Sequence, residues 1–376
     1  MDYIVIYNWR VFVVNNRRIH ELDSLRGIFA IIVAVFHFQA PNHFFNGSLA
    51  VDFFFILSGL VLSQAYMNGN NQYTLMDFFK IRVARLYPLH VYNLLVIIGL
   101  YIIYIFCFNY GRAPSLFSAI QWQFPESYYR DGVVFSLLQS FLLLNCIGFN
   151  PHHVYWNGPS WSVSVELWSN LIIFSYIKKI RVATMIYISL FMYVLIYNYY
   201  GMLGVHYENM FYMLNSGLVR GLAGILLGIV IQKTVKREFV EAPIYITIMQ
   251  YMSFIFILFI MHSYGDSNMT FVAIPFAVFI IASLYRGVKN SFQRILSHKI
   301  LWFLGEISYS IYLGHYTIQY IVQNFFNIYY SGFYSLVLYI SIVIFYACVI
   351  HYVIEVPWNA RCKNMMQNFL NKNIVT

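Results

Sequence analysis

Arg26 and His37 are the side chains from which chemistry can first be read. They stand at the two ends of Arg26-Gly27-Ile28-Phe29-Ala30-Ile31-Ile32-Val33-Ala34-Val35-Phe36-His37, a run with no other polar side chain. At about 100° and 1.5 Å per helical residue their offset is roughly three turns plus ~20°, so both point to one side, ~16 Å apart. A guanidinium suits phosphate or carboxylate, and imidazole is the side chain whose proton moves near neutral pH. Sixteen ångströms is about half of a ~30 Å hydrocarbon core. Such a helix can meet an anionic molecule at one membrane surface and handle a proton near mid-depth. Each residue also has a plainer reading. Arg26, with Asp23 at i−3, is a snorkelling anchor or a phosphate grip, and His37 is a hydrogen-bonded structural histidine or a functional one.

Further polar side chains interrupt apolar runs along the chain. Ser58-Gly59 lie about halfway along the run from Val51, where Ser58 permits close helix packing or touches substrate, and Asp52 lies nearer the outer surface, solvated or in contact with substrate. Arg82 and Arg85, i,i+3 neighbours in Lys80-Ile81-Arg82-Val83-Ala84-Arg85-Leu86-Tyr87-Pro88, put two forks on one helix face. They bind phosphate or carboxylate, or serve only to orient the chain. Glu166 closes Trp161-Ser162-Val163-Ser164-Val165-Glu166, about one turn inside its span, where a carboxylate is costly unless paired or solvated. Arg220 reads as close to mid-depth with Glu166 as its partner, in a structural ion pair or as an electrostatic aid to chemistry. His315 falls at a depth like that of His37, as core or as functional group. Depth follows from sequence in this way; lateral proximity does not.

The elements that must position these groups are membrane helices. The chain has 376 residues, 60% hydrophobic and 10% charged, with mean hydropathy +0.64, whereas soluble domains run near 25% charged. The expected fold is all-α and polytopic, with ten transmembrane helices at 26–41, 49–67, 87–108, 161–177, 182–200, 210–232, 243–262, 269–285, 304–326 and 333–354. The apolar segment 133–148 is decided by charge. If it crosses, Lys178, Lys179 and Arg181 fall outside and every later basic loop is inverted; if it is re-entrant or surface-lying, the basic residues agree with the positive-inside rule. Only Arg112 and Arg130 then lie outside, and Arg220 lies within a span. Both termini read as cytoplasmic: residues 1–21 as an extension without a cleavage site, 22–358 as one membrane domain, and 359–376 as a tail. The net charge of +9 is thus an orientation signal and an anion-facing surface, with no block resembling a nucleic-acid arm. Cys107, Cys146, Cys348 and Cys362 lack the spacing of a zinc site or disulfide framework, and no metal is expected. The outer loop from Asn109 to Ser160, with Glu126, Arg130, Asp131, His152, His153 and Asn157, is the polar region in which an acceptor site is expected.

Four stretches, in order, resemble the acyltransferase-3 family of integral membrane acyltransferases: Leu22-Asp23-x-Leu25-Arg26-Gly27 before His37; Arg82-x-x-Arg85-x-x-Pro88; Trp161-Ser162-x-Ser164-x-Glu166; and Leu304-Gly305-x-x-Ser308-Tyr309-x-x-Tyr312-Leu313-x-His315. Arg220 before Gly228, Ser58-Gly59 and Glu355-x-Pro357 resemble weaker family positions, and Gly314 stands where the family often has an aromatic residue. The resemblance implies transfer of an acyl group, often acetyl from acetyl-CoA, to carbohydrates or other acceptors, commonly outside the cytoplasmic membrane. It implies Arg26, Arg82 and Arg85 on the CoA phosphates and His37 as the catalytic residue, with acyl-CoA as co-substrate and no permanently bound cofactor. Because the chain ends soon after Glu355, transfer is expected to be completed within the membrane domain.

The residues themselves agree with that chemistry. A sugar hydroxyl is a poor nucleophile at neutral pH, and a general base within hydrogen-bond reach contributes about 10²–10⁴-fold. His37, oriented by Glu166, is the expected base, with transient acylation of His37 as the variant; Ser58, Arg220 and His315 are expected near substrate or transition state. The alternatives are a carrier or flippase for a lipid-linked sugar, against which no repeated halves are found, and lipid or protein acylation by an unrelated membrane class.

Overall fold

The computed structural model describes residues 19–38, 44–67, 73–108, 133–147, 156–177, 179–205, 208–211, 214–238, 241–263, 267–329 and 332–362. Outside them lie Arg10, Arg17, Arg18, Arg112, Arg130, Lys178, Lys363 and Lys372, and with them the outer-loop residues Glu126, Asp131, His152 and His153.

Uninterrupted apolar runs fold into helices: α1 His20–His37, α2 Ala50–Met67, α3 Leu75–Phe108, α4 Val133–Phe141, α5 Ser160–Tyr176, α6 Val182–Tyr200, α7 Ser216–Thr234, α8 Ile244–His262 and α9 Ala273–Arg286. Two short helices, α10 Ser291–Leu296 and α11 Lys299–Glu306, precede α12 Ser308–Asn324 and α13 Phe333–Ile350, which continues through a π-turn at His351–Glu355. The one strand pair among the described residues is antiparallel, Asn209–Met210 with Leu214–Asn215. Seven of the described helices are long and apolar enough to cross a membrane. Their outward faces are apolar, with Phe191 of α6 65% and Phe345 of α13 71% exposed, as lipid-facing surface must be. The chain is a multi-pass membrane protein.

The other three segments read as spans are α1, α5 and α12, which carry His37, Glu166 and His315. Helices α5 and α12 have 17 residues each, about 26 Å, and α1 carries Glu21, Asp23 and Arg26. Three boundaries differ from the sequence reading for local reasons. Helix α3 begins at Leu75 and runs through Pro88, so Arg82 and Arg85 sit on a spanning helix instead of in a loop; the ring removes one backbone donor, and the turns on either side keep theirs. Helix α7 starts at Ser216, not 210, because Asn215 caps it by accepting from the Leu218 N–H at 3.3 Å. The span expected at 304–326 is broken at Ile307 into α11 and α12. The segment 133–148 forms only a nine-residue helix, about 14 Å and under half a bilayer core. Beyond α4 the chain is fastened to α5, with the Leu143 carbonyl accepting from Ser164 Oγ and Trp168 Nε1 at 2.6 and 2.7 Å.

Two helix crossings set the geometry of the interior. Helix α2 lies against α7 with backbone on backbone: a Cβ on Gly59 would overlap the Ile225 carbonyl, and one on Gly228 the Ile56 carbonyl. Helix α1 crosses α11 at Gly27 and Gly305, where a Cβ on either would overlap the other helix's main chain. Small residues allow such approach where helices have no water to exclude from between them.

Candidate active site

From the Gly27–Gly305 crossing, α1 and the α11–α12 segment run alongside one another. His37 and His315 each follow their glycine by ten residues, and there the chains meet again. His315 Nε2 lies 3.2 Å from His37 Nδ1. His37 Nδ1 also lies 2.9 Å from the Val33 carbonyl, one turn back on its own helix. Gln319, one turn beyond His315, donates from Nε2 to the His37 carbonyl at 2.7 Å. From α13, Tyr339 donates to the His315 carbonyl at 3.3 Å and stacks on Phe38 at 4.1 Å between centroids. The expected orienting contact of Glu166 on His37 is therefore corrected: the described partners of the His37 ring are His315 and Val33. The reason is packing, because the end of α1 lies on α12 while Glu166 faces α2 and α3.

Glu166 heads a second cluster. Its Oε1 accepts from Ser58 Oγ at 3.0 Å and pairs with Arg82 Nη1 at 3.4 Å, and Asn170 donates to Ser58 Oγ at 3.1 Å. Arg82 is 3% exposed, with its guanidinium 5.2 Å above the Phe78 ring. Ser58 thus binds a carboxylate, while its neighbour Gly59 makes the close helix contact. Arg85, one turn on, is half-buried, and so is Arg26, which pairs with Asp23 at 3.7 Å. The two clusters are joined by contacts between their helices. Ser162, one turn before Glu166, is 2.7 Å from the hydroxyl of Tyr312, one turn before His315. Tyr309, on the same face, donates to the Leu86 carbonyl of α3 at 2.8 Å.

Arg220 belongs to neither cluster, and its expected pairing with Glu166 is corrected. Its Nε donates to Asp52 Oδ1 at 2.9 Å and its Nη2 to the Ser48 carbonyl at 2.8 Å, with Trp161 5.7 Å away across the guanidinium. It lies four residues into α7, about 6 Å along the axis, near the helix end instead of mid-depth. The α2–α7 crossing places that end beside the first turn of α2, where Asp52 sits 1% exposed. In a fourth group the sequence pointed to Glu355 but not to its partners: His351 Nδ1 and Ser310 Oγ both bond Glu355 Oε2 at 2.8 Å on the π-turn. The signal for Gln319 was available as a polar residue one turn from His315 in a helix without other reason for polarity. For the Asp52–Arg220 pair the signal was two opposite charges, each in an otherwise apolar run.

The profile of the acyltransferase-3 family, described as an acyltransferase domain, matches residues 19–356. The chain belongs to the acyltransferase-3 family. Each of the four stretches that carry the resemblance has residues in one of the clusters above or in the crossing beside them. Among curated relatives, the O-acetyltransferase OatA of Staphylococcus aureus is 24% identical over 341 residues, covering 82% of this chain and 52% of its own length. The acyltransferase MdmB of Streptomyces mycarofaciens is 30% identical over 166 residues, 40% of this chain and 36% of its own. Protein 2 in the picA locus of Rhizobium radiobacter is 39% identical over 87 residues, 22% of this chain and 44% of its own. The chain spans about half the length of the first of these relatives. No solved structure matches it.

Proposed function

We propose that this acyltransferase-3 protein transfers an acyl group, acetyl in the simplest case, from cytoplasmic acyl-CoA to a hydroxyl of a cell-surface or exported carbohydrate. The observation that carries the reading is the His37 ring at the end of α1. Its Nδ1 is engaged by acceptors, and no described residue pairs with Nε2. A neutral imidazole so held offers Nε2 to a hydroxyl as general base, or to a thioester carbonyl as nucleophile. Supporting the donor side, Arg26 and Arg85 are half-buried and Arg82 is held against Glu166; arginine forks suit the CoA phosphates. Supporting the acceptor, a relative over 82% of the chain is called an O-acetyltransferase.

The same reading takes ten spans with both termini in the cytoplasm, α1, α5 and α12 joining the seven helices apolar enough to cross. Helices α5 and α12 meet at Ser162 and Tyr312, 2.7 Å apart, and α1 and α12 at His37 and His315, 3.2 Å apart, so these polar groups are not presented to lipid. The membrane is the cytoplasmic one, where acyl-CoA is available on one side and the exported carbohydrate on the other.

The deciding experiment incubates the purified full chain in lipid nanodiscs with acetyl-CoA labelled in the acetyl group and with carbohydrate from the host cell surface. Label released from the carbohydrate by mild alkali supports the proposal, because esters hydrolyse there and amides do not. Carbohydrate bound or moved across vesicles with no label acquired would establish the carrier reading instead.

A further inference from the structure

The contacts around His37 determine which of its nitrogens carries the proton, and they assign a role to His315. A backbone carbonyl only accepts, so His37 Nδ1, 2.9 Å from the Val33 oxygen, carries its hydrogen. By the same argument His315 Nδ1, 3.2 Å from the Ile311 oxygen, carries its own. The Nε2 of a neutral His315 is then a lone pair, and it faces the His37 Nδ1–H at 3.2 Å. We propose that His315 is the positioning residue of the site: as second acceptor for the His37 Nδ1–H, it holds the tautomer that leaves His37 Nε2 bare. The geometry gives it support from two sides. Gln319 on the same helix holds the His37 main chain at 2.7 Å, and Tyr339 of α13 holds the His315 carbonyl at 3.3 Å. His315 itself is 0% exposed, so water does not compete for its lone pair.

This deepens the proposed reaction and rests on that reading for the identity of the reactants. The hydroxyl O–H breaks as a proton passes to His37 Nε2, and the alcohol oxygen bonds to the acyl carbon. The carbon–sulfur bond then breaks, the electron pair leaves on sulfur, and the proton passes from His37 Nε2 to give the CoA thiol. While His37 carries both protons, its Nδ1–H is held by two acceptors, the Val33 oxygen and His315 Nε2. The charge is thereby spread without a carboxylate at the ring. This is the place that an aspartate fills beside the histidine of a serine hydrolase, taken here by a neutral imidazole.

The test has a readout that needs no substrate. In full-chain protein labelled with ¹⁵N at histidine, with His37→Gln to assign the resonances, the His37 ring is expected to show a protonated Nδ1 and an unprotonated Nε2. His315→Leu is expected to shift it toward the other tautomer, and His315→Gln, which restores an acceptor oxygen, to return it. A protonated Nε2 in the wild type, or a His37 tautomer unmoved by His315→Leu, overturns the proposal. In acetyl transfer from acetyl-CoA, His315→Leu is expected to lower kcat about tenfold or more with KM for acetyl-CoA unchanged, and His315→Gln to recover most of it. Equal loss in both variants also overturns it, since a merely space-filling role would not distinguish them by their acceptor. If acetyl-CoA proves not to be the donor, the kinetic arm is silent and the tautomer alone decides, so the two readings fail separately.

Discussion

A guanidinium buried with a carboxylate 2.9 Å away depends on that partner, because either charge alone in an apolar interior is strongly unfavourable. Asp52→Ala is therefore expected to destabilise the protein by about 3–5 kcal/mol, and Asp52→Leu combined with Arg220→Met to recover most of the loss. Thermal unfolding in detergent measures both; a double variant as unstable as the single one would mean that Arg220 does more than neutralise Asp52. The same residues show what a sequence can disclose at this scale. His37 and Glu166 stood out because an isolated polar side chain in an apolar run needs a reason. Which partner each one takes depends on helix-to-helix proximity, which no spacing along one helix contains. So the sequence reading gave Glu166 two partners, Arg220 and His37, and the structure gives it Arg82 and Ser58.

At the level of helices, the His37–His315 contact is set up ten residues earlier, where Gly27 and Gly305 let α1 and α11 touch through main chain. A methyl group on Gly27 would meet the Gly305 nitrogen and Leu304 backbone, atoms that cannot rotate away. Gly27→Ala is expected to cost about 1–3 kcal/mol of stability, by overpacking, and to lower acyl transfer by moving His37 off His315. Gly99→Ala is the control: nothing lies within 4 Å of the added carbon, and in a helix interior the change should stabilise by up to about 1 kcal/mol. Comparable melting temperatures for the two variants would contradict the crossing. Helix existence was legible from apolar length for nearly every segment, whereas 133–148 was set apart by charge and not by its length. The ends were less legible, since the cap at Asn215, the passage through Pro88 and the break at Ile307 are decided by one or two local hydrogen bonds.

For the whole molecule, orientation was read from charge alone, and the ten-span reading makes α5 and α6 a hairpin whose turn at Lys179 and Arg181 lies in the cytoplasm. A reporter fused after Ile180 is expected to read cytoplasmic and one fused after Gly201 extracytoplasmic; the reverse pattern would restore 133–148 as a span. The clusters draw on both kinds of helix, His37, Glu166 and His315 from α1, α5 and α12 and Ser58 and Arg82 from two of the seven helices apolar enough to cross. The most direct measurement of the account compares wild type and His37→Ala, reconstituted at equal amounts, in transfer of labelled acetyl from acetyl-CoA to carbohydrate. The account predicts a loss of at least about 10²-fold, the lower end of what a general base contributes, with membrane insertion and melting temperature retained. Transfer by His37→Ala at the wild-type rate would contradict it.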